Sequence, residues 1–103
     1  MEETRKNEII TYLEKKIQAY KEGPEFSNRD NIVANLTAVN DAVKSGKETF
    51  EYVSMPGKSG FLHEKFFADL AEIGLDIDEC GYGECSIIDS RSIEADIDSF
   101  LNS

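Results

Sequence analysis

The chain has 103 residues, 40% of them hydrophobic and 31% charged, which fits a single globular domain over residues 1–103 and excludes a wholly disordered chain. Eleven lysines and arginines stand against 21 aspartates and glutamates, for a formal net charge of −10. Because nucleic acids and anionic membranes are bound through lysine and arginine, this charge argues against direct binding to either.

Two amphipathic helices are predicted at the start of the chain. The first runs from about Glu3 to Lys21, with apolar residues every three or four positions, and ends before Gly23. The second follows a predicted N-cap at Ser27 and ends near Gly46. Because few residues separate them, we expect an antiparallel helical hairpin. Pairing of this hairpin between two subunits, through residues 3–46, would give a homodimer.

A strand, a turn and a third helix are predicted next. Thr49–Ser54 is rich in β-branched and aromatic residues, which is typical of a strand. Residues 56–60 contain proline, two glycines and serine, which favours a turn. Apolar residues at helical spacing then extend from roughly Phe61 to Ile73.

Leu75–Glu79 and Glu84–Asp89 are predicted to form a β-hairpin around Gly81-Tyr82-Gly83. The two-residue and the four-residue loop centred there give the same register, which places Cys80 opposite Cys85. One face of the hairpin then carries three apolar residues: Leu75, Ile77 and Ile88. The other face carries three aspartates, both cysteines and one isoleucine: Asp76, Asp78, Asp89, Cys80, Cys85 and Ile87.

A last helix is predicted near Ser92–Leu101, so the element order is ααβαββα. We predict an α+β fold in which an N-terminal antiparallel helical hairpin packs with a small three-stranded sheet and two further helices. The N-terminus has no apolar signal core, and no apolar run is long enough to span a bilayer. We therefore expect a cytoplasmic protein, or one in the host cytoplasm if it is virus-encoded. In a reducing compartment Cys80 and Cys85 are expected to be free thiols, with a cross-strand disulfide as the alternative.

Three local patterns imitate ligand sites, and each lacks a required residue. Gly57-Lys58-Ser59 suits a phosphate-binding loop, but the glycine that this loop needs five positions earlier is replaced by Tyr52. His63 is the only histidine, so a two-histidine zinc site within one subunit is excluded. The calcium-loop pattern that begins at Asp76 lacks its glutamate at position twelve, where Ile87 stands. We expect neither a metal ion nor a cofactor.

The negative charge is concentrated at the C-terminal end. Residues 1–63 carry nine basic and ten acidic side chains, whereas residues 64–103 carry two and eleven. We therefore predict a protein-binding module, not an enzyme, that presents carboxylates to a basic partner surface. The candidate partner-binding residues are the acids of the hairpin and last helix, with one tyrosine as an aromatic anchor: Asp76, Asp78, Glu79, Tyr82, Glu84, Asp89, Glu94, Asp96 and Asp98.

Such a patch on a small protein suits an inhibitor that mimics nucleic acid, for example a virus-encoded inhibitor of a nucleic-acid-binding host protein. Two alternatives remain at this point. One is a solvated acidic face without a partner. The other is a small enzyme, or an anion- or ligand-binding domain, centred on Lys58, Ser59 and His63, which requires a pocket at these three side chains.

Overall fold

The computed structural model describes residues 2–26, 28–53, 64–81 and 83–89. Within these ranges the chain forms the helices α1 (Glu3–Glu22), α2 (Arg29–Lys44) and α3 (Glu64–Glu72), and the strands β1 (Thr49–Glu51), β2 (Leu75–Gly81) and β3 (Glu84–Asp89). The α+β class and the order of these elements are confirmed. The helix predicted near Ser92–Leu101 lies outside the described residues.

The two long helices bury their apolar stripes against each other, and α2 also packs against β1. In each helix these side chains recur at helical spacing and are buried: Ile9, Leu13 and Ile17 in α1, and Ile32, Leu36, Val39 and Val43 in α2. Each such side chain contributes roughly 1.5–3 kcal/mol by leaving water. Burial of the two stripes therefore stabilises the helical hairpin.

The N-cap of α2 is Asn28, one residue after the predicted position Ser27. Asn28 has a φ of 67°, in the left-handed region. Asparagine enters this region more readily than other side chains because its short amide bonds locally. The backbone reversal between α1 and α2 therefore falls on an asparagine rather than on a glycine.

The three strands form an antiparallel sheet in the order β1-β3-β2. One face packs against the helices and contributes Phe50, Leu75 and Cys85 to the core, each at most 4% exposed. The rings of Phe50 and Phe66 are tilted against each other with centroids 5.9 Å apart, which joins β1 to α3. The other face of the sheet points away from the helices.

Strands β2 and β3 are paired one residue away from the predicted register over most of their length. Ile77 lies opposite Ile87 and Leu75 opposite Asp89, and the register shifts between Asp78 and Gly81. Because side chains alternate along a strand, a shift of one residue exchanges the faces of one partner. The shift moves Ile87 and Asp89 to the helix-covered face.

Two predictions about these faces are therefore wrong. Ile88 does not share the face of Leu75 and Ile77, and Cys85, Ile87 and Asp89 do not share the face of Asp76 and Asp78. The structure gains from the shift, since it brings Cys85 and Ile87 into the apolar core.

The expectation of free thiols is also wrong, because Cys85 is disulfide-bonded. The chain contains two cysteines, and Cys85 lies opposite Phe50 with 1% of its surface exposed. The expectation came from an assumed reducing compartment and not from strand geometry. The cytoplasmic location remains a prediction.

Strand β1 ends at Glu51, earlier than the predicted Ser54, and the side chain of Asn35 binds the backbone that follows. The N–H of Val53 donates to Asn35 Oδ1 at 2.8 Å, and Asn35 Nδ2 donates to the Val53 carbonyl at 2.9 Å. Asn31 Nδ2 donates to the same carbonyl at 2.8 Å. Asn35 is fully buried. Its side chain satisfies the N–H and C=O groups of Val53, as a neighbouring strand would do.

Candidate functional site

The solvent-facing side of the sheet is predominantly acidic. Alternation along the three strands and their pairing place seven side chains there, which together we call the outer sheet face: Thr49, Glu51, Asp76, Asp78, Glu84, Ser86 and Ile88. All four carboxylates are exposed, and none of the seven residues is a lysine or arginine. The outer sheet face is thus a concentrated negative surface on a rigid element.

Glu51 and Glu84 lie directly opposite each other on β1 and β3. The next pair along this ladder is hydrogen-bonded, since the N–H of Tyr52 donates to the carbonyl of Gly83 at 3.0 Å. Glu51 and Glu84 therefore form a non-hydrogen-bonded pair, the kind in which Cα atoms are about 4.5 Å apart and side chains are closest. Two like charges in such a pair repel each other. A cationic group between them would remove this repulsion.

Asp76 and Asp78 extend the acidic surface along β2. They are two residues apart on the same face, a separation of about 7 Å along the strand. Asp76 Oδ1 accepts a hydrogen bond from the N–H of Ile77 at 2.9 Å. This bond fixes the carboxylate close to the backbone of β2 while leaving it exposed.

The acidic surface continues around the edge of β1 into a groove of about 430 Å³ between α2 and the sheet. Its acidic and basic side chains are Asp41, Lys47, Glu51 and Glu84, and Phe50 forms part of its apolar wall. The groove contains one basic side chain against three carboxylates, so its charge has the same sign as that of the outer sheet face.

Asp89, a predicted partner-binding residue, lies on the opposite side of the sheet in an ion pair with Arg5 of α1. Arg5 Nε and Nη2 each donate to one carboxylate oxygen of Asp89 at 3.0 Å, and Nη2 also donates to the carbonyl of Ile73. Both side chains are 11% exposed. This bidentate ion pair connects the start of α1 to the end of β3. It holds Asp89 on the inner side of the sheet, away from the outer sheet face.

The remaining predicted residues divide into three groups. Asp76, Asp78 and Glu84 lie together on the outer sheet face. Glu79 lies within β2, and its side chain is outside the described part of the structure. The other predicted residues are outside the described residues altogether: Tyr82, Glu94, Asp96 and Asp98. Lys58, Ser59 and His63, the centre of the alternative ligand site, are outside them too.

Sequence reasoning missed Glu51 as a member of the acidic surface. The alternation of Thr49, Phe50 and Glu51 already places Glu51 on the face opposite the buried Phe50. The missing information was that β1 pairs with β3, which brings Glu51 next to Glu84. The alternation of residues along one strand does not show which other strand it pairs with.

A second cluster of ionisable side chains joins α1 to α3. Tyr20 Oη donates to Asp69 Oδ2 at 2.5 Å, and Tyr12 Oη donates to the Asp69 carbonyl at 2.8 Å and to Glu72. Lys16 Nζ lies 3.6 Å from Asp69 and 3.5 Å from Glu72. Side chains of α1 therefore bind two carboxylates of the acidic residues 64–103, namely Asp69 and Glu72.

The pKa values in this cluster show which protonation states it requires. Burial, with the hydrogen bonds to Glu72 and Asp69, raises the pKa of Tyr12 and of Tyr20 well above its ordinary value. The hydrogen bond from Tyr12, together with the charge of Lys16, lowers the pKa of Glu72. The tyrosines are thus held as hydrogen-bond donors and the carboxylate as an acceptor, which suits a structural contact between helices.

Neither a metal site nor a membrane span emerges from the described residues. Among them, no three side chains of histidine, cysteine, aspartate or glutamate are grouped so as to hold a metal ion. The helices within the described ranges are too short or too polar to cross a membrane. Comparison of the chain with protein-family models, with curated proteins and with solved structures found no match.

Proposed function

We propose that this protein binds a partner protein, and that its outer sheet face receives a basic surface of that partner. The observation that supports the proposal is the grouping of Glu51, Asp76, Asp78 and Glu84 on one exposed face. Most lysines and arginines of the described residues belong to α1 and α2, which lie behind the other face. A one-sided negative field accelerates encounter with a positive surface and orients it.

The sheet also suits binding better than catalysis. Within the described part of the structure, its four carboxylates are exposed and lie at fixed spacing along regular strands. Acid–base catalysis by carboxylates needs a partly dry pocket that shifts one pKa away from the other. An open face at fixed spacing provides orientation and charge, which are what a docking surface requires.

The proposal is tested by neutralising the face without changing its shape. An outer-face variant carries Glu51→Gln, Asp76→Asn, Asp78→Asn and Glu84→Gln. A matched control, the helix control, removes the same charge from exposed positions in or beside α1 and α2 through Glu2→Gln, Glu22→Gln, Glu25→Gln and Asp30→Asn. Fluorescence anisotropy with a labelled arginine- and lysine-rich peptide, at about 50 mM and about 200 mM salt, measures the affinity of each protein.

We expect the outer-face variant to bind the peptide roughly tenfold more weakly at low salt, because exposed charge pairs contribute about 0.2–1 kcal/mol each. The control should stay within about twofold of the original chain, and the difference should shrink at high salt because exposed charges are screened. Equal losses in the two variants would show that net charge alone governs binding, and the proposed site would be abandoned.

The finer proposal is that the partner is itself a nucleic-acid-binding protein, whose basic groove the carboxylates occupy in place of phosphates. The test is competition, in which the chain is titrated into a basic DNA-binding protein that holds labelled duplex DNA. Displacement by the original chain and by the helix control, but not by the outer-face variant, is expected. If the chain and the DNA bind the basic protein at the same time, the chain does not mimic nucleic acid. The proposal that its partner is a basic protein would still stand.

A further inference from the structure

Strand β2 forms one edge of the sheet. Within the described ranges it pairs with β3 alone. An edge strand presents backbone N–H and C=O groups that a further strand can bind. The seven residues of β2 span about 23 Å, long enough to pair with a short peptide.

The hydrogen bonds between β1 and β3 determine which backbone groups of β3 point toward β2. The N–H of Tyr52 donates to the carbonyl of Gly83 at 3.0 Å, and the N–H of Ile87 donates to the carbonyl of Glu48 at 2.8 Å. Gly83 and Ile87 therefore direct their backbone groups toward β1. Because this direction alternates along a strand, Ile88 directs its groups toward β2.

The same alternation identifies the groups at the free edge of β2. Ile88 lies opposite Asp76, so Asp76 uses its backbone groups to bind β3. Its neighbours Leu75 and Ile77 therefore direct their N–H and C=O groups to the other side, away from β3. The hydrogen bond from the N–H of Ile77 to Asp76 Oδ1, at 2.9 Å on the exposed surface, agrees with this assignment.

We propose that the free edge of β2 accepts an extended segment of the partner in which basic and apolar residues alternate. This inference rests on the proposed function and names its binding mode, β-strand addition. Basic side chains of the added strand would lie beside Asp76 on the outer face, at the distance of a cross-strand pair. Apolar side chains would lie beside Ile77 on the inner face, which already packs against the core.

The charge of β2 favours a basic segment at its free edge over the β2 strand of a second copy of the protein. Pairing of two β2 strands would bring aspartates and a glutamate of one copy against those of the other, since the strand contains three acids among seven residues and no base. Like charges directly opposite each other destabilise a pair of strands. The carboxylate of Asp76 also occupies the N–H of Ile77 and so protects the edge until a strand with compensating charge displaces it.

The test uses a labelled seven-residue peptide of alternating lysine and valine, and a second peptide of the same sequence in which every backbone amide is N-methylated. Both carry the same charge, but the second cannot donate hydrogen bonds to an edge. Anisotropy measures the affinity, and amide chemical shifts from ¹⁵N-labelled protein locate the contact. Glu22→Gln, at an exposed position of α1 outside the sheet, serves as the control variant.

We expect the N-methylated peptide to bind at least roughly tenfold more weakly, since strand addition gains its affinity from main-chain hydrogen bonds. The parent peptide should shift the amide signals of Leu75 and Ile77, in the original chain and in Glu22→Gln alike. Equal binding of the two peptides, or shifts confined to β1, would overturn strand addition while the basic docking surface stood. Failure of both peptides to bind would refute the proposed function as well.

Discussion

Asp76 and Asp89 are both acids of the hairpin, yet their surroundings give them different roles. Asp76 is exposed on the outer sheet face, whereas Asp89 binds two nitrogens of Arg5 at 3.0 Å with 11% of its side chain exposed. A charge pair with little access to water depends on both partners, because the group left behind keeps its desolvation cost. The two residues should therefore respond in opposite ways to neutralisation.

We predict that Asp89→Asn lowers the free energy of unfolding by about 2 kcal/mol and changes the affinity for a basic peptide by less than about twofold. Asp76→Asn should leave the free energy of unfolding within about 0.5 kcal/mol and weaken the peptide complex. Urea unfolding and fluorescence anisotropy measure the two quantities. If a stable, folded Asp89→Asn protein no longer binds the peptide, Asp89 contributes to the binding surface and this prediction is wrong.

At the scale of elements, the pair formed by β1 and β3 carries an internal conflict. Glu51 and Glu84 face each other at a position of close side-chain approach. Such like-charge pairs are retained at a cost in stability. The basic partner proposed above would relieve this repulsion.

We predict that Glu51→Lys stabilises the chain by about 0.5 kcal/mol, because an opposite-charge pair replaces a repulsive one. The same change should weaken binding of the basic peptide, so stability and affinity move in opposite directions. Thr49→Lys, two residues away on the same face and opposite Ser86, introduces a lysine on β1 without removing the repulsion. A stability gain as large in Thr49→Lys would mean that the Glu51–Glu84 repulsion is negligible.

The contact between α1 and α3 makes a prediction about pH. The pKa of Tyr12 and of Tyr20 is raised in the folded chain above the ordinary value of 10.0, so folding favours the protonated phenols. The stability that they contribute is complete below pH 10 and is lost as pH rises further, because the unfolded chain then releases these protons first. The pKa of Glu72 is lowered from its ordinary 4.5, so its contribution is lost as pH falls below that value.

The measurement is the free energy of unfolding in urea as a function of pH. We expect a plateau near neutral pH, with a decline above pH 10 that is shallower in Tyr20→Phe than in the original chain, because one linked phenol has been removed. Tyr52→Phe changes a tyrosine outside this cluster and is the matched control. An equal decline in all three proteins would indicate that the network does not hold the phenols protonated.

At the scale of the whole molecule, the periodic parts of the chain were predictable and the long-range pairings were not. The stripes of α1 and α2, and the alternation around Phe50, are local patterns that follow from burial of one face. The register of β2 and β3 depends on an irregularity between Asp78 and Gly81, which gains burial of Ile87 and Cys85 rather than following a turn rule. The local periodicity of the sequence does not show that this register buries Ile87 and Cys85.

The candidate site shows the same division. Asp76, Asp78 and Glu84 were identified from the concentration of acids along the chain, and they do lie on one face. Asp89 was grouped with them because the register was one residue off, and Arg5, 84 positions away in sequence, binds it instead. Glu51 was missed because the pairing of β1 with β3 joins segments that are far apart in the chain.

The buried amide of Asn35 has a consequence for stoichiometry. It binds both backbone groups of Val53, so no further strand can pair with the chain at that residue, which follows the three-residue strand β1. A sheet with two long open edges can be lengthened repeatedly into polymers, but among the described residues β1 offers an edge of three residues against seven in β2. Complexes built by strand addition should therefore terminate at one partner for each copy of the protein, without growing into fibres.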